Sequence, residues 1–239
     1  SRMAEGQYQN REDSFVRRGN IYVQDLSTGE KQLVTLQKSF PYIFSKKDGR
    51  FKVVDKSPSP EEVERLRQQR KTEEENIGYE DRRFYPEGSF LAQVLGFLGF
   101  ERDRRVGQYG LEAYYEETIR QEHDLVLTID KNIQSFAEKE LDYLLDKWQP
   151  TAGTIIVQDP QSGAILAMAG SPSFDPNNYG QFPLGNFVNK AVQEAFEPGS
   201  SFKPITMSGA IDQKKVTPET TYFDTGEVDI AGYKINNFN

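Results

Sequence analysis

The sequence predicts an α+β protein in two parts: a mostly β or extended N-terminal domain over residues 1–122, and a domain over 123–239 in which helices pack on a central antiparallel sheet. Three observations in the second part carry that prediction. Residues 124–130 alternate like a strand, and Ile133, Phe136, Ala137, Leu141, Leu144, Leu145 and Trp148 recur at helical spacing on one side. Residues 153–158 and 164–169 are two apolar runs joined by Asp159-Pro160-Gln161-Ser162-Gly163, which reads as a hairpin turn. A strand, a helix, a hairpin and a further helix in that order suit a sheet with helices against it.

The N-terminal part opens with a polar stretch over 1–20. Ile21-Tyr22-Val23 then reads as a short strand, Ser27-Thr28-Gly29 as a turn and 31–35 as the return strand. A basic patch (Lys46, Lys47) and the break Ser57-Pro58-Ser59-Pro60 precede a charged run over 61–75. Ser59-Pro60-Glu61-Glu62 has a cap, a proline in the first turn and early acids, so it starts a helix. The polar composition of that helix predicts a solvated arm. Arg83-Phe84-Tyr85-Pro86 is followed by small and apolar residues through Gly96, and Gly107-Gln108-Tyr109-Gly110-Leu111-Glu112 comes next.

In the C-terminal part Asp130 is placed to cap the helix that follows. The 153–158 run is apolar enough to read as a buried strand. Ser171-Pro172-Ser173-Phe174-Asp175-Pro176-Asn177 forms a loop, and Asn189-Lys190-Ala191-Val192 leads to a Pro198-Gly199 turn. From there Phe202, Ile205, Met207, Ala210 and Ile211 give a helix that Ser200 opens and that ends near Gln213-Lys214-Lys215.

Composition removes several function classes. With 37 acidic against 29 basic residues the net charge is −8, which disfavours a nucleic-acid partner. No cysteine is present, so disulfides and thiolate metal sites are excluded. The single histidine, His123, falls where a linker is expected, which leaves no histidine-based triad. Asp224-Thr225-Gly226 occurs once and reads as a turn, since an aspartic protease needs two such carboxylates. Asp175, Glu227 and Asp229 lack a ligand spacing, and neither a metal nor an organic cofactor is expected. No apolar run approaches the roughly twenty residues of a membrane helix.

The chemistry concentrates at Glu197-Pro198-Gly199-Ser200-Ser201-Phe202-Lys203-Pro204. A serine hydroxyl needs a base to become a nucleophile, and a lysine serves when it is partly uncharged. Residues three apart on a helix share a face, so Lys203 is placed to act as general base on Ser200. Burial beside Phe202 would favour the neutral amine. An isolated Ser-x-x-Lys is more often a helix cap followed by a solvated lysine. Here it is the one serine in the chain with a lysine at that spacing, and it sits on a turn-to-helix junction.

That segment closely resembles the active-site string of the penicillin-binding proteins, the serine transpeptidases of peptidoglycan. Arg18-Gly19-x-Ile21, Arg83-x-Tyr85-Pro86 and Gly107-x-x-Gly110-x-Glu112 resemble, in order, the pedestal elements of the monofunctional class B members. Pro172-x-x-Asp175-Pro176-Asn177 and Asn189-Lys190-Ala191 match two further family elements. The first element departs from the family, which continues Asp-Arg-Asn-Gly where this chain has 24–29. The 46–82 region is unassigned.

The resemblance implies a serine D,D-transpeptidase with Ser200 as nucleophile and Lys203 as general base, a target of β-lactams. It implies that Arg18, Arg83 and Glu112 join in a polar network between a dimerisation-like pedestal over 1–122 and a transpeptidase domain from 123. Its implied partners are peptidoglycan stem peptides and a membrane-embedded glycan polymerase. Its implied setting is extracytoplasmic, with an N-terminal membrane anchor outside this chain. The family's Ser-x-Asn and Lys-Thr/Ser-Gly elements do not occur in the 239 residues. The chain is therefore expected to be a fragment that is inactive by itself. A serine β-lactamase or β-lactam sensor, and a non-catalytic cell-wall scaffold, are the alternatives.

Overall fold

The computed structural model describes residues 17–47, 50–55, 57–68, 76–102 and 104–237. The polar start over 1–16 and the end of the charged run over 69–75 lie outside the described residues. The chain separates into two compact units, Ser1–Glu194 and Ala195–Asn239.

In the first unit, β1 (Ile21–Gln24), β2 (Lys31–Leu33), β3 (Leu36–Lys47) and β4 (Arg50–Asp55) precede helix α1 (Pro60–Gln68) and strand β5 (Asn76–Phe84). Helix α2 (Ala92–Leu95) leads to the hairpin β6 (Phe97–Glu101) and β7 (Arg104–Gln108). Two short helices follow, α3 (Gly110–Tyr114) and α4 (Glu116–Arg120). Strand β8 (Leu125–Asp130), helix α5 (Lys131–Trp148), strands β9 (Gly153–Gln158) and β10 (Ile165–Ser171) and helix α6 (Lys190–Gln193) complete the unit. The described strands form small sheets.

β1 lies between β2, antiparallel, and β8, parallel, so the first strand pairs with one more than a hundred residues later. Ile21 and Val23 face the core and are fully buried. Around them pack Val34, Leu91, Leu95, Ile119, Ile129, Phe174 and Phe187. Phe97 stacks on Tyr179 with ring centroids 4.2 Å apart, which ties the β6–β7 hairpin to the loop after β10.

Ser59 and Glu62 form a reciprocal capping box. The Glu62 N–H donates to the Ser59 hydroxyl at 3.2 Å, and the Ser59 N–H to the Glu62 carboxylate at 3.0 Å. Helix α1 is docked rather than fully solvated: Val63 is buried, because this one apolar side chain among the charges has a sheet to lie on. β5 belongs to that sheet, ordered β4-β3-β5.

Asp130 caps α5 by accepting the Ile133 N–H at 2.8 Å. The apolar stripe of α5 is narrower than its sequence period suggests. Ala137 and Leu141 are buried against Ala167 and Ala169, whereas Phe136, Leu144 and Trp148 are exposed. A two-stranded sheet covers only one sector of a helix. The β9–β10 hairpin is antiparallel with Ile156 opposite Met168. β9 alternates between half-buried and exposed residues, with Ile156 about half exposed. The expectation of a buried strand fails: Thr154, Ile156 and Gln158 on its other face are exposed.

In the second unit a 3-10 turn, Gly199–Phe202, runs into α7 (Lys203–Asp212), and β11 (Glu227–Ile230) pairs antiparallel with β12 (Tyr233–Asn236). Asp224-Thr225-Gly226 is a turn in which the Asp224 carboxylate accepts the Gly226 N–H at 2.8 Å. No described residue of this unit is buried. A segment of this size has too little interior to enclose its apolar side chains.

Candidate active site and the buried ion-pair network

Pro198 adopts the right-handed helical conformation, Gly199 has φ +55°, and the Ser201 N–H donates to the Pro198 carbonyl at 3.2 Å. This turn delivers Ser200 to the start of α7. The expected α-helix opened by Ser200 is not what forms. The α-helical ladder would have residue 204 donate to the Ser200 carbonyl, and Pro204 has no N–H. The Lys203 N–H takes that carbonyl instead, which makes the segment 3-10 and starts the α-helix at Lys203.

Side chains three apart eclipse in a 3-10 turn, so Ser200 and Lys203 project from the same edge. Both are exposed, and among the described residues no hydrogen bond joins the Ser200 hydroxyl to the Lys203 amine. The expected burial of Lys203 beside Phe202 is not found. Phe202 is 50% exposed, as are Ile205 and Met207 to a similar degree, because this unit encloses no interior. Ser208 and Thr206 turn their hydroxyls back onto the carbonyls of Pro204 and Phe202, at 2.7 and 3.4 Å.

The pedestal elements meet in the first unit around Glu112, which is fully buried. Arg83 donates from Nε to its Oε1 at 2.6 Å, and Arg18 from a terminal nitrogen to Oε2 at 3.2 Å. Arg83 also bonds the Gly19 carbonyl at 2.8 Å, and the Tyr85 hydroxyl lies 3.4 Å from Glu112. Burial first, and then the negative charge of Glu112, push the Tyr85 phenol well above its usual range, so it stays a neutral donor.

Glycines let these elements approach. A Cβ on Gly19 would fall 1.9 Å from the His123 carbonyl oxygen, and one on Gly107 1.9 Å from that of Glu112. Gly110, at φ +48°, opens α3. Pro86 is exposed at the turn after β5. His123 is an exposed loop residue.

Sequence reasoning missed Glu116. It holds Arg18 with two bonds, at 3.0 and 2.7 Å, and accepts the Gly107 N–H at 2.8 Å. Burial opposes its ionisation, but the bonds from Arg18 and Gly107 and the charges of Arg18 and Arg120 prevail and hold its carboxyl below the usual range. The signal was its place four residues after Glu112, one helical turn away. Asn177 was noted only as part of a loop motif. Its amide pairs with both backbone groups of Tyr85, accepting from N–H at 2.9 Å and donating to the carbonyl at 2.8 Å.

The network is structural. Two cations and two carboxylates pair with one another, while Arg18 Nε and one terminal nitrogen of Arg83 are buried without a hydrogen-bond partner among the described residues.

Residues 22–140 match the family described as the penicillin-binding protein dimerisation domain, and residues 153–239 the penicillin-binding protein transpeptidase domain. The chain is 32% identical over 183 residues to Stage V sporulation protein D of Bacillus subtilis, covering 64% of this chain and 28% of that protein. It is 30% identical over 179 residues to Peptidoglycan D,D-transpeptidase FtsI of Escherichia coli, covering 65% and 30%. Over 99 residues it is 40% identical to the probable peptidoglycan D,D-transpeptidase PenA of Neisseria flavescens, covering 41% and 25%. The chain thus spans less than a third of the length of these relatives. With both domain families present in this order, the chain belongs to the class B penicillin-binding proteins.

Proposed function

We propose that the whole protein is a serine D,D-transpeptidase that cross-links peptidoglycan, with Ser200 as nucleophile and Lys203 as general base. The observation that carries this reading is the 3-10 turn that sets the two side chains on one edge at the start of α7, inside a segment of the transpeptidase family. Lys203 accepts the Ser200 proton as Oγ attacks the carbonyl carbon of the penultimate D-alanine of a stem peptide. The C–N bond to the terminal D-alanine breaks and that residue leaves with a proton, which produces an ester on Ser200. An amine of a neighbouring stem then attacks the ester carbonyl, forms the cross-link and returns the proton to Ser200. A β-lactam opens on Ser200 by the same first step.

In this reading residues 1–122 are a pedestal and catalysis belongs to the part beginning at 123. The protein works outside the cytoplasm, anchored by a membrane helix, beside a membrane-embedded glycan polymerase. No described helix of this chain is itself long and apolar enough to cross a membrane. The relatives named as D,D-transpeptidases support the reaction class. The test is labelling of the whole protein with a fluorescent penicillin. The label is expected on wild type and absent from Ser200→Ala, and equal labelling of the two would overturn the assignment. Rapid loss of the label by hydrolysis would point to a β-lactamase.

A further inference from the structure

The antiparallel register of β3 and β5 sets Lys38 directly opposite Arg82, Phe40 opposite Glu80 and Leu36 opposite Phe84. Strand alternation puts all six side chains on one face of the sheet. Helix α1 lies on the other face, where its Arg67 meets Tyr79. Like charges directly opposite each other on a strand pair are destabilising. No carboxylate bridges this pair. Glu80 holds Arg82 alone, through Nε at 3.2 Å and one terminal nitrogen at 3.0 Å, and Lys38 has no ion-pair partner among the described residues.

Aromatic rings hold these cations in place. The Lys38 ammonium lies 4.9 Å from the centre of the Phe84 ring and 5.5 Å from that of Phe40, and the Arg82 guanidinium 5.6 Å from that of Phe40. The two rings are themselves 5.8 Å apart. Arg105 of β7 sits over Phe100 at 4.7 Å and pairs with Glu80. Three cations therefore stand around one carboxylate, a local positive excess in a chain whose net charge is −8. At physiological salt, charges more than about 8 Å away are largely screened, so the local excess decides what approaches this face.

We propose that this face of β3 and β5 docks an acidic segment of a partner protein. A carboxylate set between Lys38 and Arg82 relieves their repulsion and completes the charge-assisted bonds that Lys38 lacks. Both cations are already oriented by the rings, so little side-chain entropy is lost on contact. Alternate side chains of an extended peptide point the same way about 6.8 Å apart, so successive carboxylates can meet cations along the strand pair. Lys38 is exposed on an open strand pair, where a small anion finds no enclosing pocket. An anionic bilayer is read by clusters of about four to eight basic residues, more than the three here.

The test follows the fluorescence anisotropy of labelled octa-glutamate and, separately, octa-glutamine as the whole protein is added. Saturable binding is expected for octa-glutamate alone, weakening about tenfold as salt rises from about 20 to about 200 mM. Lys38→Gln and Arg82→Gln are each expected to weaken it about fivefold, and Lys38→Glu, a reversal at an exposed position, to abolish it. Lys147→Gln, at a lysine likewise seated on aromatic rings but on α5, is expected to change nothing. Thermal melting of each variant checks that the fold is retained. Equal binding of octa-glutamine, unchanged affinity in the Lys38 variants, or an equal loss in Lys147→Gln would each overturn the proposal. So would displacement of the peptide by inorganic phosphate at constant ionic strength, or Lys38-dependent binding to phosphatidylglycerol vesicles with none to octa-glutamate. The readout is binding alone, so its failure is distinct from failure of the transpeptidase reading.

Discussion

The Ser200 carbonyl accepts the backbone N–H of Lys203, so the two residues are joined by a 3-10 bond before any chemistry is considered. The missing N–H of Pro204 is the cause. Pro204→Ala would restore a donor for the α-helical bond and move the two side chains from eclipsed towards the offset of about 60° that residues three apart have in an α-helix. Acylation of Ser200 by a fluorescent penicillin is expected to slow about tenfold in this variant, less than the ~10²-fold that a 1 Å misplacement costs. Stopped-flow labelling measures it, and an unchanged rate would show that the turn does not matter.

Lys203→Arg separates charge from basicity. A guanidinium stays protonated and has no acceptor. If Lys203 is the base, acylation by penicillin falls about 10²- to 10⁴-fold in this variant, as in Lys203→Ala. A rate near wild type in Lys203→Arg would instead assign the lysine an electrostatic role.

Glu112→Gln strips the central charge from a buried cluster whose arginine side chains are only 4% and 1% exposed. Removing one partner of a buried pair costs about 3–5 kcal/mol. The urea midpoint of the whole protein is expected to fall accordingly. Glu116→Gln, at a side chain that remains 23% exposed, is expected to cost less.

The Glu116 carboxyl titrates below its ordinary 4.5 in the folded protein. A depressed carboxylate contributes stability that is present above the unfolded value and is lost as pH falls through the folded one. The stability gap between wild type and Glu116→Gln is therefore expected to be constant near neutrality and to shrink below about pH 4.5. Denaturation at a series of pH values tests it, and a gap that widens on acidification would contradict the sign.

Two glycine substitutions are expected to differ sharply. In Gly107→Ala the new Cβ meets backbone of α3 at 1.9 Å, so whole segments must shift, at about 3 kcal/mol or more. Gly29, at φ +76° with open space around it, faces only the conformational cost of about 1–2 kcal/mol. Equilibrium unfolding of the two variants compares them directly.

Much of the local structure was legible because it is decided within a few residues. Asp130 before an apolar stripe, Ser59 three residues before Glu62, and the Asp159–Gly163 turn all hydrogen-bond inside their own segments. The family was legible from ordered motifs. What failed were statements about cover. Phe136 and Trp148 fit the period of α5 yet lie exposed, and β9 is apolar yet half open, since burial depends on which element packs opposite.

By itself the sequence determined the α+β class, the order strand, helix, hairpin and helix from residue 124 on, the family, and the Ser200–Lys203 spacing. Each of these depends on local periodicity, caps and short strings. Tertiary structure alone decided that β1 pairs with β8, that Glu116 joins Glu112 on Arg18, and that Asn177 holds the Tyr85 backbone. Those partners are tens to about a hundred residues apart. Their meeting depends on long-range packing and backbone approach at glycines such as Gly19 and Gly107, for which no local pattern exists.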